Sequence, residues 1–172
     1  SEQQISLNAA IKIRSRLVQA LGEKILVEGR EYRAFPAARD LAGCTVQDLR
    51  GLSLSVRKAE YLIDLAPKVT VEGFDLEGLR NRSNEEVIAA LTSLRGFGRW
   101  SAEYLLARGL GRTEVVAGGD LGIQNLVGKY LGPGRRVSEK DLRKMMEEWG
   151  PYKRWVVFYL FCASRLGLIE KK

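Results

Sequence analysis

The 172 residues predict an all-α fold, and three observations carry that prediction. Capping residues recur just ahead of apolar stretches with helical spacing. Strand-like alternation is confined to ILV at 25–27 and VTV at 69–71, both too short to build a sheet. No internal repeat or low-complexity linker interrupts the run of helices. The length allows one domain or two small lobes with enough chain for a core. An apolar fraction of 45% and a charged fraction of 28% are those of an ordinary globule.

Taken in order, Ser6 caps a helix through LNAAIKIRSRLVQAL, with Gly22 just past its end. Its apolar positions Ile11, Leu17, Val18 and Leu21 recur at helical spacing. EKILVEGREYRAFP reads as a looser stretch, with Pro36 in the first turn of a short helix. Thr45 and Ser55 cap VQDLRGL and VRKAEYLIDLA, and Asp75 begins another short helix. Ser83 with Glu86 forms a capping box ahead of VIAALTSL. After a turn at Gly96–Gly98, a helix is expected from about Arg99 to Leu110. Asp120 caps LGIQNLVGKYL, Ser138 caps EKDLRKMMEEW, and Pro151 opens the mostly apolar YKRWVVFYLFCASRL. AGG at 117–119 and GPG at 132–134 read as loops between helices.

Composition narrows the chemistry. Lys and Arg number 28 against 21 Asp and Glu, for a net charge of +7 and an isoelectric point near 9.6. Such an excess suits a polyanion, nucleic acid above all, or a solvated basic surface, and charge alone leaves the two level. With no histidine, histidine bases, Ser-His and Cys-His pairs and histidine metal sites are excluded. Cys44 and Cys162, the only cysteines, cannot make a four-cysteine zinc site or hold an iron–sulfur cluster. They read as small buried hydrophobes rather than a disulfide. No apolar run approaches the roughly 20 residues that span a bilayer, and SEQQISLNAA lacks the pattern of a signal peptide. The expected location is cytoplasmic and nucleoid-associated in a prokaryote, nuclear in a eukaryote.

LRGFGRWSAEYLLARGLG, residues 94–111, is the most telling stretch. Gly96 and Gly98 sit between two helices, where glycine lets the backbone approach a bulky ligand. The amides that open the second helix, with its dipole, suit a phosphate. Leu94 and Ala102 would pack the two helices together. A lone G-x-G is weak evidence and fits a plain corner; L-x-G-x-G-x-x-x-A with Arg95 and Arg99 in a basic chain favours phosphate. Asp120 follows two glycines and precedes a helix, which composition alone reads as a simple N-cap.

Together, LRGFGRWSAEYLLARGLG and VVAGGDLGIQ resemble the helix–hairpin–helix–Gly/Pro/Asp superfamily of DNA base-excision glycosylases, closest to the 3-methyladenine DNA glycosylase II, AlkA-like, family. QQISLNAA, GLSLSVRKAEYL and WGPYKRWVVFYLF extend the resemblance over nearly the whole chain. It implies a two-lobed helical bundle with a helix–hairpin–helix motif, an active-site cleft between the lobes, and one glycosylase domain over residues 1–172. It places the catalytic aspartate on Asp120. The DNA-binding hairpin falls on Leu94, Arg95, Gly96, Phe97, Gly98 and Arg99. The base pocket falls on Trp100, Tyr104 and Phe161. Trp100 and Tyr104 are four residues apart and share a helix face, a spacing more often used for core packing. Gln3 or Gln4 matches the stretch that fills the stack behind a flipped base, or is ordinary surface.

The lysine with which bifunctional members attack the sugar is replaced by Trp100, implying a monofunctional enzyme without lyase activity. The four-cysteine cluster of some members has no counterpart, since the chain ends in LGLIEKK. The family's additional chain before QQIS is missing, which implies a shortened form. The implied partner is double-stranded DNA carrying damaged bases, with no membrane and a monomeric state. No cofactor is implied, although the hairpin backbone leaves room for a monovalent cation. Excision of alkylated bases such as 3-methyladenine and 7-methylguanine fits a single carboxylate. Ordinary glycoside hydrolysis takes a second carboxyl to protonate the leaving group, and a base already cationic leaves without it. The alternatives are a non-catalytic helix–hairpin–helix DNA-binding module, or a glycosylase for another lesion.

Overall fold

The computed structural model describes residues 7–169. The fold is mostly helical, as the sequence predicts, and the chain divides into two compact units meeting in sequence at Leu79 and Arg80.

The first unit opens with α1 (Leu7–Leu21), followed by strands β1 (Lys24–Val27) and β2 (Arg30–Arg33). Helices α2 (Ala38–Leu41), α3 (Val46–Gly51) and α4 (Val56–Thr70) complete it. The expected caps of α3 and α4 are in place, with Thr45 accepting from the Asp48 amide and Ser55 from that of Lys58. Ser6, the expected cap of α1, lies outside the described residues. Leu17 of α1 joins Leu49, Leu54 and Ala59 in this unit's core.

Three expectations are corrected here. ILV at 25–27 does build a sheet: β1 pairs antiparallel with β2, Lys24 opposite Arg33 and Val27 opposite Arg30. Glu28 and Gly29 both take positive φ, the geometry of a two-residue hairpin turn. VTV builds no sheet, as expected, since Val69 and Thr70 continue α4 and Val71 ends it. Pro36 lies ahead of the N-cap of α2, Ala37, rather than inside the first turn. Cys44 and Cys162 are free and half-buried rather than buried, and burial, then the charge of Asp48, pushes the Cys44 thiol above its ordinary range.

The second unit carries α5 (Asn84–Thr92), α6 (Arg99–Tyr104), α7 (Leu121–Tyr130), α8 (Glu139–Glu147) and α9 (Lys153–Arg165). The Ser83–Glu86 capping box forms at the start of α5, and Ser138 caps α8 through the Asp141 amide. The helix begun by α6 widens to a π-turn over Leu105–Gly109. Val116, Val127, Val137, Leu142, Met146 and Val157 form the core of this unit. Among the described residues, no helix is long and apolar enough to cross a membrane.

Candidate active site

The turn between α5 and α6 is built by its glycines in two different ways. Gly96 has φ 89°, a conformation that a side chain strains. Gly98 is extended, with φ −101° and ψ 175°, and is the N-cap of α6. A β-carbon on Gly98 would meet nothing within 4 Å, so the space over it is open. The Phe97 amide donates to the Leu94 carbonyl and closes the turn at 3.1 Å. Leu94 and Ala102 are buried, as expected for residues that join the two helices. Burial removes the Leu94 side chain from the hairpin's outer surface, so only its backbone can contribute there. Arg95, Gly98 and Arg99 are exposed.

Trp100, in the first turn of α6, and Tyr104, in its last, stack with ring centroids 5.3 Å apart at 27°. The Trp100 indole Nε1 donates to Oδ2 of Asp120 at 3.2 Å. The other oxygen, Oδ1, accepts from the Ile123 amide at 3.0 Å, so Asp120 caps α7. A partly exposed carboxylate is thus oriented by an indole N–H on one side and a helix N-terminus on the other. Cap and catalytic carboxylate are alternatives on the residue pattern alone, and the geometry lets one side chain do both. Phe161 of α9 is exposed, and its ring reaches to 4.0 Å of where a β-carbon on Gly122 would stand. The structure therefore brings Trp100, Tyr104 and Asp120 together and sets Phe161 beside the first turn of α7. Gln3 and Gln4 lie outside the described residues.

Three residues of this region are not foreseen from the sequence. Glu103 of α6 is only 2% exposed. Its Oε1 accepts from Arg99 Nε at 2.9 Å and from Arg143 Nη2 at 2.8 Å. Its Oε2 accepts from Arg143 Nη2 at 3.0 Å and from the Gly118 amide at 3.1 Å. Buried Gln124 donates to the Gly118 carbonyl at 2.9 Å. Arg143 of α8 also pairs with Glu139 at 2.6 Å. Burial works against its charge, but the hydrogen bonds to Glu139 and Glu103 and the charges of both carboxylates hold the guanidinium above its ordinary value. The i, i+4 spacing of Arg99 and Glu103 was a readable signal; the Arg143 contact, 40 residues away, left none.

Among the described residues, no three His, Cys, Asp or Glu side chains gather to hold a metal ion. Lys153, at the start of α9, is ion-paired with Glu147 at 2.7 Å.

The family described as HhH-GPD superfamily base excision DNA repair protein matches residues 1–152, and this chain is a member of that superfamily. It is similar to DNA-3-methyladenine glycosylase 2 of Escherichia coli, at 30% identity over 159 residues, covering 92% of this chain and 53% of that protein. The solved 3-methyladenine DNA glycosylase of Archaeoglobus fulgidus superposes with a TM-score of 0.85 at 33% identity, over 96% of this chain and 55% of that one. The Schizosaccharomyces pombe 3-methyladenine DNA glycosylase, solved in complex with abasic DNA, gives 0.79 at 29% identity, over 98% and 78% respectively. The chain spans about half the length of the curated relatives it matches.

Proposed function

We propose that this chain is a monofunctional DNA glycosylase that excises alkylated bases, of the 3-methyladenine and 7-methylguanine type, by hydrolysing the N-glycosidic bond. The observation that carries the reading is the Trp100 indole N–H on Asp120 Oδ2, which joins an aromatic face to an oriented carboxylate. The relatives' names support the substrate class.

The chemistry follows from charge. A base alkylated on a ring nitrogen is cationic and departs with the bonding electrons without first being protonated. The sugar is left as an oxocarbenium ion, which the Asp120 carboxylate stabilises while orienting the attacking water. Fixed donors on both oxygens keep that carboxylate from rotating away. Trp100 and Tyr104 offer stacking and cation–π attraction to the flipped base, worth roughly 0.5–2 kcal/mol per contact. A damaged base costs least to extrude from the duplex. The open backbone at Gly98 and the first amides of α6 face a DNA phosphate. As drawn, the reaction requires no cofactor.

A second reading is favoured by the Ile123 amide on Asp120 Oδ1: the aspartate is only a cap, and the chain is a non-catalytic DNA-binding module. Both readings include DNA binding, so release of base separates them. Methylated duplex DNA is incubated with the chain and the soluble fraction chromatographed. Free methylated purines are expected; binding without any release selects the second reading.

A further inference from the structure

The buried polar side chains among the described residues are Glu103 and Gln124, and both end on one peptide-bonded residue, Gly118. Glu103 takes its N–H and Gln124 gives to its C=O, two residues before Asp120. The Asp120 amide then donates to the Ala117 carbonyl at 2.9 Å, which closes the 117–120 turn. We propose that Glu103 and Gln124 are positioning residues: they clamp the Gly118 backbone so that the carboxylate of Asp120 stays aimed at the reacting sugar. This rests on the reading of Asp120 as the catalytic carboxylate.

Physical cost argues for the assignment. A carboxylate buried beside a guanidinium rarely stabilises a fold better than packed apolar side chains of the same size. At this position it does what no apolar side chain can, which is to accept from a backbone amide in a glycine loop. The same carboxylate also accepts from Arg99, the residue after Gly98. One side chain therefore ties the hairpin turn to the loop that carries Asp120, and Arg143 of α8 anchors it from the other side.

The test is single-turnover base release from dimethyl-sulfate-methylated duplex, with the 172-residue chain in excess. Glu103→Met removes both acceptor oxygens at similar volume, and Gln124→Met removes the donor to Gly118. Circular dichroism fixes a temperature at which each variant is folded. A merely structural role lowers the amplitude and the melting temperature. Lost positioning lowers the rate constant at full amplitude. The expected loss in rate constant is roughly 10- to 100-fold, the size that a misplacement of about 1 Å produces. A folded Glu103→Met chain with the wild-type rate constant overturns the proposal. If that variant does not fold, Gln124→Met carries the test, and a wild-type rate constant there overturns it equally. A wild-type chain that releases no methylated base defeats the glycosylase reading itself and takes the clamp with it.

Discussion

Asp120 caps α7 with one oxygen and accepts from the Trp100 indole with the other, and that indole is what a plain cap would lack. A hydrogen bond to a charged group contributes about 1.5–3 kcal/mol, and each 1.36 kcal/mol is about tenfold in rate. Trp100→Phe keeps an aromatic face and removes the donor. It should lower the rate of base release by roughly tenfold or more, measured at saturating protein. An unchanged rate would mean that the indole serves only to stack. The cap at Asp120 was legible because glycines, an aspartate and a helix after it leave a local pattern, whereas the roles proposed for Asp120 and Trp100 came from the family resemblance. Glu103 was not legible, because nothing local marks it as buried. Its partners come from the 118 loop and from α8, and only the folded chain brings them together.

The helices were legible as elements because their caps are local. Thr45, Ser55, Ser83, Asp120 and Ser138 all cap where expected. The hairpin of β1 and β2 was missed because its turn uses Glu28 with Gly29, a weaker signal than Asn-Gly, and its strands have four residues each. Val69 and Thr70 continue α4, where the Thr70 hydroxyl donates to the Ala66 carbonyl one turn back, and the exposed Val71 ends it.

The two hairpin glycines make different experiments. At Gly96 the positive φ strains any side chain, so a substitution confuses folding with binding. At Gly98 the φ is ordinary and a β-carbon has room, so Gly98→Val should fold. It should nonetheless weaken binding to damaged and undamaged duplexes alike, because phosphate contacts carry no sequence information. Titration across a salt series measures this, and an unaltered affinity removes the hairpin from the DNA interface. The capping boxes make a pH prediction. The backbone and hydroxyl hydrogen bonds from Ser83 hold the Glu86 carboxyl below its ordinary value. The hydroxyl and amide of Thr45 do the same for Asp48. Groups depressed in the folded state contribute stability above their unfolded value, near 4.3 for glutamate, and lose it as pH falls through the folded value. Denaturant melts should therefore weaken progressively below about pH 4. Glu86→Gln should flatten that decline; an equal slope in the variant would remove its box from the balance.

At the scale of the whole molecule, each unit has its own core, and every described candidate site residue lies in the second. The division into two units matches the two lobes that the family resemblance implied. Apolar spacing along the chain does not reveal where such a division falls. The second unit also bears on the fate of the abasic strand once the base has left. A lyase needs a free amine at the sugar, and the family resemblance aligns Trp100 with the lysine of bifunctional members. Lys153 is already paired with Glu147. Borohydride added during turnover should trap no protein–DNA adduct, and the product strand should break only in hot alkali. An adduct on a denaturing gel that disappears in Lys153→Ala would withdraw the monofunctional assignment.

The central claim is that Asp120 does the chemistry, and one comparison addresses it most directly. Wild-type chain and Asp120→Asn are incubated with methylated duplex DNA, and released bases are quantified by chromatography alongside affinity for the same DNA. Asparagine preserves the cap to the Ile123 amide and removes the charge. The account predicts free methylated purines from the wild type, almost none from the variant, and equal or tighter DNA binding by the variant. A variant that keeps most of its base release would leave Asp120 as a cap and contradict the mechanism.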